Sequence, residues 1–243
     1  MVPALPPFPP PNPSPLTPDT SPMTYQLHAA LAHGASGEKH ATLGRYQAYL
    51  QSFRSLTSTV VRRMSDDALQ DCAHRLGTAS SGQLVGFAQL EWPVLLDFAL
   101  YCHRLAGESA VQRLRAEERP VQTVADQVLD AMCATSIRIL DLERVSEGIG
   151  FRGVDVWTGE DIGIIEPGIA KRFTEGDRVV CRIVDLSDLS MTTELILPLS
   201  DAGLFRLVDE LDASDVDPRE LLTPQALDEY ARVVYRCALD DQS

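Results

Sequence analysis

Residues 146–163 read SEGIGFRGVDVWTGEDIG. Gly148, Gly150 and Gly153 stand at the spacing G-x-G-x-x-G. Dinucleotide-binding folds use that spacing to carry a strand into a helix whose first amides hold pyrophosphate. The residues that follow decide whether the spacing has that meaning here. Val154 and Val156 alternate with Asp155, and Thr158-Gly159-Glu160 then makes a turn. A chain that alternates with period two and then turns is extended. No helix start meets the glycines, so no nucleotide cofactor is expected. The glycines instead allow a tight lead-in and a bend in a curved strand.

Extended segments continue downstream. Residues 161–166 (DIGIIE) are short and rich in β-branched side chains, and residues 178–186 (RVVCRIVDL) are apolar on both faces, as a central strand is. Met191, Thr193, Leu195, Leu197 and Leu199 alternate with Thr192, Glu194, Ile196 and Pro198. Pro167-Gly168 and Glu175-Gly176-Asp177 supply turns. Several short strands with little helix between them predict a small antiparallel β-barrel or rolled sheet. Ile137, Ile139, Leu142 and Val145 are too irregularly spaced to assign, although the helical pattern ends before them.

Helical periodicity flanks this β-module on both sides. Tyr46, Leu50, Phe53, Val60 and Met64 recur at helix spacing. Ser65 followed by Asp66 and Asp67 reads as an N-cap with an acidic first turn, and Gly77 as the residue closing that helix. A third helical region spans residues 83–105, with Pro93 marking a kink or a fresh start. A short helix follows from Ser109 to Arg115. Pro120 opens another, with Val121, Val124, Val128, Leu129 and Met132 on one face. Beyond Ser200, Asp201 opens one helix and Thr223-Pro224 a last one, striped by Leu227, Tyr230, Val234 and Ala238. The fold class is therefore α+β. Its parts are a proline-rich leader (1–22), a helical region (23–136), the β-module (137–199) and acidic C-terminal helices packed back on it (200–243). The leader holds ten of the sixteen prolines. It reads as unstructured or as an extension upstream of a start at Met23, the other reading being a ligand for a proline-recognising domain.

Composition narrows the function. The formal net charge is −14, and residues 200–243 carry eleven Asp or Glu against four Arg. Such a surface repels nucleic acid and anionic lipid and suits solvent or a basic protein partner. The apolar window at residues 84–105 is broken by Gln89, Glu91, Pro93 and Asp97, so it reads as a core helix and not a membrane span. Five cysteines, Cys72, Cys102, Cys133, Cys181 and Cys237, stand far apart with no C-x-x-C pair. They point to reduced thiols and a cytoplasmic setting.

GIGFRGVDVWTGEDIGIIE followed by TEGDRVVCRIVDL resembles the small β-module of uncharacterised bacterial proteins related to SEC-C motif proteins. The matching positions are Gly150, Asp155, Thr158, Gly159, Glu160, Gly176, Asp177 and Arg182. The helices from about Phe98 to Ser136 are compatible with those preceding that module. The resemblance implies a helical region joined to a β-module. It brings no established reaction, and the cysteine-rich zinc motif of those relatives is absent here.

No H-E-x-x-H, G-x-S-x-G or P-loop motif occurs. Two weaker constellations remain. Cys72/His74 and Cys102/His103 would hold a metal only if their helices brought them together, against the simpler reading of buried thiols with histidines at the rim. Asp155, Glu160, Asp161 and Glu166 cluster on one hairpin, where a hydrolase pair or a cation site would need them to converge. The competing reading is that they are acidic because turn tips are wet. Trp157 either caps the sheet or serves as a surface anchor. The expectation is a non-enzymatic cytoplasmic binding or adaptor protein. It would engage a protein partner through Trp157, Thr158 and Glu160 or through the acidic C-terminal face. The alternative is a metal-binding or hydrolase-like protein.

Overall fold

The computed structural model describes residues 36–77, 91–118, 123–214 and 226–241. The proline-rich leader, Met23, the first part of the third helical region, Pro120, Val121 and Thr223-Pro224 lie outside the described residues.

β1 (Ser136–Ser146), β2 (Gly150–Asp155), β3 (Asp161–Ile165), β4 (Arg178–Asp185) and β5 (Ser190–Pro198) form one antiparallel sheet in the order β3-β2-β1-β4-β5. The glycine stretch turns at Gly148, with φ +67°, and enters β2, which is extended through Asp155; Gly150 and Gly153 are there for close packing. At Gly150, φ is +157°, and a Cβ would stand 2.0 Å from the carbonyl oxygen of Ile164 on β3. At Gly153 a Cβ would stand 3.1 Å from that of Leu140 on β1. Bulkier residues would push the neighbouring strands away from β2.

The segment that could not be assigned from its spacing is the central strand of the sheet. β1 pairs with β2 on one side and β4 on the other, and its register with β2 shifts between Leu142 and Arg144. Ile137 and Ile139 point to the helical side, whereas Leu140 and Leu142 point into the roll. A strand buried on both faces and bulged midway shows no simple alternation.

The sheet is rolled and open, which corrects the barrel alternative: no ladder joins β3 to β5. The two edges still approach each other. Thr192 Oγ1 on β5 donates to the carboxylate of Glu166, just past β3, at 2.8 Å. Inside the roll, Phe151, Ile164, Val179 and Ile183 pack with Phe173 and with Ile169 from a 3₁₀ turn (Ile169–Lys171).

Helices cover the outside. α1 (Ser36–Arg63) buries Tyr46, Tyr49, Leu50, Phe53 and Val60, one stripe at helix spacing. α2 (Asp66–Leu76) starts at Ser65, whose hydroxyl accepts the Ala68 N–H, and ends at Gly77 with φ +77°. α3 (Glu91–Asp97) runs into one π-helical turn (Phe98–Cys102), where the His103 N–H reaches back to the Phe98 carbonyl at 2.9 Å. α4 (Ala110–Glu117) and α5 (Val124–Cys133) each begin with a capping box, at Ser109 and Thr123. α6 (Asp201–Ala213) is capped by Ser200, and α7 (Ala226–Glu229) leads into α8 (Ala231–Asp240).

The helices and the sheet share their cores. α1, α4, α5 and the π-turn close over Ile165, Val184 and Met191 of the sheet. α2, α3, α6 and α8 close over Ile137, Ile139, Val180, Leu195 and Leu197. α8 is the most enclosed of the C-terminal helices: Ala231, Val234, Tyr235, Cys237 and Ala238 are all buried. A large aliphatic side chain such as Val234 contributes about 1.5–3 kcal/mol by leaving water.

Candidate functional site

Adjacent central strands carry two buried arginines, Arg138 on β1 and Arg182 on β4. Arg138 alternates with Leu140, on the face inside the roll. Arg182 sits opposite Ile137 in the register, on the helical side. Each buried cation collects a distinct set of carboxylates.

Arg138 organises the β2–β3 turn. Its Nη1 donates to Asp155 at 3.1 Å, and its Nη2 lies 3.2 Å from the Glu160 carboxylate. The other oxygen of Asp155 accepts the backbone N–H groups of Trp157 and Thr158, each at 2.9 Å. The Asp155 N–H donates to the Glu160 carbonyl, and the Gly159 N–H to the Asp155 carbonyl, both at 2.9 Å. Thr158 Oγ1 accepts the Glu160 N–H at 3.2 Å. Asp155 is therefore 2% exposed, not a wet turn tip, while Glu160 is 57% exposed. Trp157 is half-buried and packs against the helical-side core, so it props the turn from below. Of the three residues singled out for partner contact, Thr158 and Glu160 form the tip and Trp157 its base.

The remaining hairpin carboxylates diverge. Asp161 pairs with Arg152, whose Nε lies 2.6 Å away. Glu166 joins Thr192 at the roll's edge, where burial raises its pKa above the ordinary glutamate value. Across that edge, Arg54 of α1 grips Glu194, which sits at φ +67° where β5 departs from regular pairing with β4. Asp155 and Glu160 thus share Arg138, while Asp161 and Glu166 turn to other partners, so the four do not converge on one point.

Arg182 lies where α3, β4, β5, α7 and α8 meet, and its side chain is 0% exposed. Nε donates to Asp97 at 2.9 Å and Nη1 to Asp228 at 2.8 Å. Nη2 points at the Cys102 sulfur at 3.1 Å, and the guanidinium stacks 4.5 Å from the centre of the Tyr101 ring. Asp97 also accepts from the Tyr235 hydroxyl and from Thr193 at 2.9 Å. Asp228 also accepts the N–H of Ile137 at 3.2 Å. Burial opposes the arginine's charge, but Asp97 and the other groups around it hold its pKa well above the ordinary value. Burial raises the pKa of Asp228, with Arg182 pulling against it. Tyr101 and Cys102 reach this arginine from the π-helical turn. The resemblance marked Arg182, but its partners are 85 and 46 residues distant and carry no local signal.

The two Cys/His pairs do not form one site, although His103 touches the helix that carries Cys72. Burial lifts Cys72 and Cys102 to about 12. His103 bonds to Asp71 at 3.1 Å, and His74 faces solvent. Among the described residues no three His, Cys, Asp or Glu side chains are grouped as a metal would need. A groove of about 700 Å³ beside the start of α6 is lined by Arg172, Phe173, Arg178, Ser200 and Asp241. Its charges are largely matched: Arg178 pairs with Asp141 and Asp201, and Asp241 accepts from Ser200.

Fold and site together define an α+β protein whose open, rolled antiparallel sheet is wrapped by helices and pinned by two buried arginines. Residues 40–212 match the profile of a family of unknown function (DUF7986), and the chain belongs to that family. No curated protein and no solved structure matches it. No helix among the described residues is long and apolar enough to cross a membrane.

Proposed function

We propose that the protein is a cytoplasmic binding or adaptor module that engages a protein partner through the β2–β3 turn. The observation that carries this reading is the Arg138–Asp155 clamp. It fixes the turn before any encounter while leaving the Glu160 carboxylate and the Thr158 edge at the tip. A loop already held in one shape loses little freedom on binding, so its few contacts count fully toward affinity. The Glu160 carboxylate suits a partner that offers a basic or hydrogen-bond-donating side chain. The strongly negative surface disfavours nucleic acid as that partner. The unbridged cysteines of the described residues suit a reducing compartment.

The test is affinity capture from lysate with the full chain and with Thr158→Ala/Glu160→Ala, both checked for native circular dichroism. The expected result is a partner captured by the native chain and lost from the double variant. Identical capture by the two proteins refutes the role of the turn.

A further inference from the structure

α6 shows two opposite faces. Gly203, Leu207 and Leu211 are buried against the body of the protein. On the other side Phe205 is 49% exposed, Val208 is half-buried, and Asp209 and Asp212 are exposed. Positions i, i+3, i+4 and i+7 fall on one stripe, so an aromatic, an aliphatic and two carboxylates share this outer face. Phe205 is one of four large apolar side chains exposed among the described residues. The neighbouring charges of α6 have partners: Asp201 meets Arg178, Arg206 meets Asp241, and Glu210 meets Arg236. Neither Asp209 nor Asp212 has an ion-pair partner within the described residues.

Their placement works against the helix. The last turn of α6 holds no basic residue. Asp212 therefore sits at the negative end of the helix dipole, where a cation is the favoured occupant, with Asp209 one turn before it. The stripe thus combines a half-exposed apolar anchor with two carboxylates whose fields, added to that of the helix end, attract positive charge.

From this we infer that the outer face of α6 is a docking surface for a basic, amphipathic segment of another protein. Apolar side chains of that segment cover Phe205 and Val208, and its Lys or Arg side chains meet Asp209 and Asp212. This surface is separate from the β2–β3 turn, and the two are tested apart.

The probe is a fluorescent Leu/Lys amphipathic peptide about five turns long. Its Leu/Glu counterpart is the control, and anisotropy is read with the full chain. The Leu/Lys peptide is expected to bind and to weaken as salt rises from about 0.05 to about 0.5 M. Phe205→Ser and Asp209→Asn/Asp212→Asn are each expected to weaken it by roughly tenfold or more. The Asn pair keeps or raises the melting temperature, because it removes charge from the wrong end of the dipole. Thr158→Ala/Glu160→Ala leaves peptide binding unchanged. Equal binding of the two peptides, no binding, or equal binding by the α6 variants overturns the inference. Loss in the Thr158/Glu160 variant alone also overturns it, moving the contact to the turn. Capture that depends on Glu160, with no peptide binding at α6, removes this inference and leaves the proposed function standing.

Discussion

Replacing Arg182 with Met keeps much of the side chain's apolar length and deletes its charge. Asp97 is 4% and Asp228 15% exposed, so both carboxylates would stay in the interior without their cation. Breaking a buried ion pair from one side costs about 3–5 kcal/mol, because the abandoned charge has no water to return to. Arg182 serves two carboxylates, so Arg182→Met is expected at the upper end of that range. Domains of this kind hold only about 5–15 kcal/mol in total. The cost therefore shows as a large fall in the urea midpoint, followed by circular dichroism and by the fluorescence of Trp92 and Trp157. The triple variant Arg182→Met/Asp97→Asn/Asp228→Asn removes the stranded charges along with the cation. It is expected to recover most of the loss, since neutral replacement of a whole buried cluster is often nearly neutral. The reasoning fails if Arg182→Met costs under about 1 kcal/mol, the level of an exposed pair, or if the triple variant is no more stable than the single one.

Gly150→Ala forces a Cβ toward the Ile164 carbonyl at a backbone angle suited to glycine. It is expected to destabilise by more than about 1 kcal/mol, which thermal melting measures. A matched Gly44→Ala change, with open space around it, should leave the melting temperature unchanged or raise it. Glu166 gives a pH signature. Burial raises its folded pKa above the ordinary 4.5, so the folded state holds its proton more tightly than the unfolded chain does. The stability linked to it is full below 4.5 and declines as pH rises through the elevated folded value. Glu166→Gln should flatten that decline and leave the variant relatively more stable at neutral pH. Parallel stability–pH curves for the two proteins would refute the assignment.

Much of the architecture was legible because it is written locally. Ser65 and Gly77 bound a helix by side-chain and backbone chemistry confined to one turn each, and the alternation after Gly153 was enough to mark an extended strand, which is β2. β1 was illegible for an equally physical reason: both its faces are covered, and its register shifts between Leu142 and Arg144. The candidate site divided the same way. The turn at residues 155–160 was visible as a unit, since the hydrogen bonds that shape its backbone link residues 155 to 160 to one another. Asp155 was misjudged as a solvated tip because its partner, Arg138, comes from another strand. Asp97 was seen only as an interruption in an apolar helix. Its purpose emerges when β4 delivers Arg182 and α8 delivers Tyr235 to the same point.

The burial of α8 also bears on how the chain is made. During synthesis the sheet and the earlier helices leave the ribosome first, with the hollow for Val234, Tyr235 and Ala238 still empty. A nascent chain stopped before Ala231 therefore shows apolar surface to any chaperone nearby, and leaves Asp97 without the Tyr235 hydroxyl. Native packing waits for translation to pass Asp240 and for that helix to clear the exit tunnel.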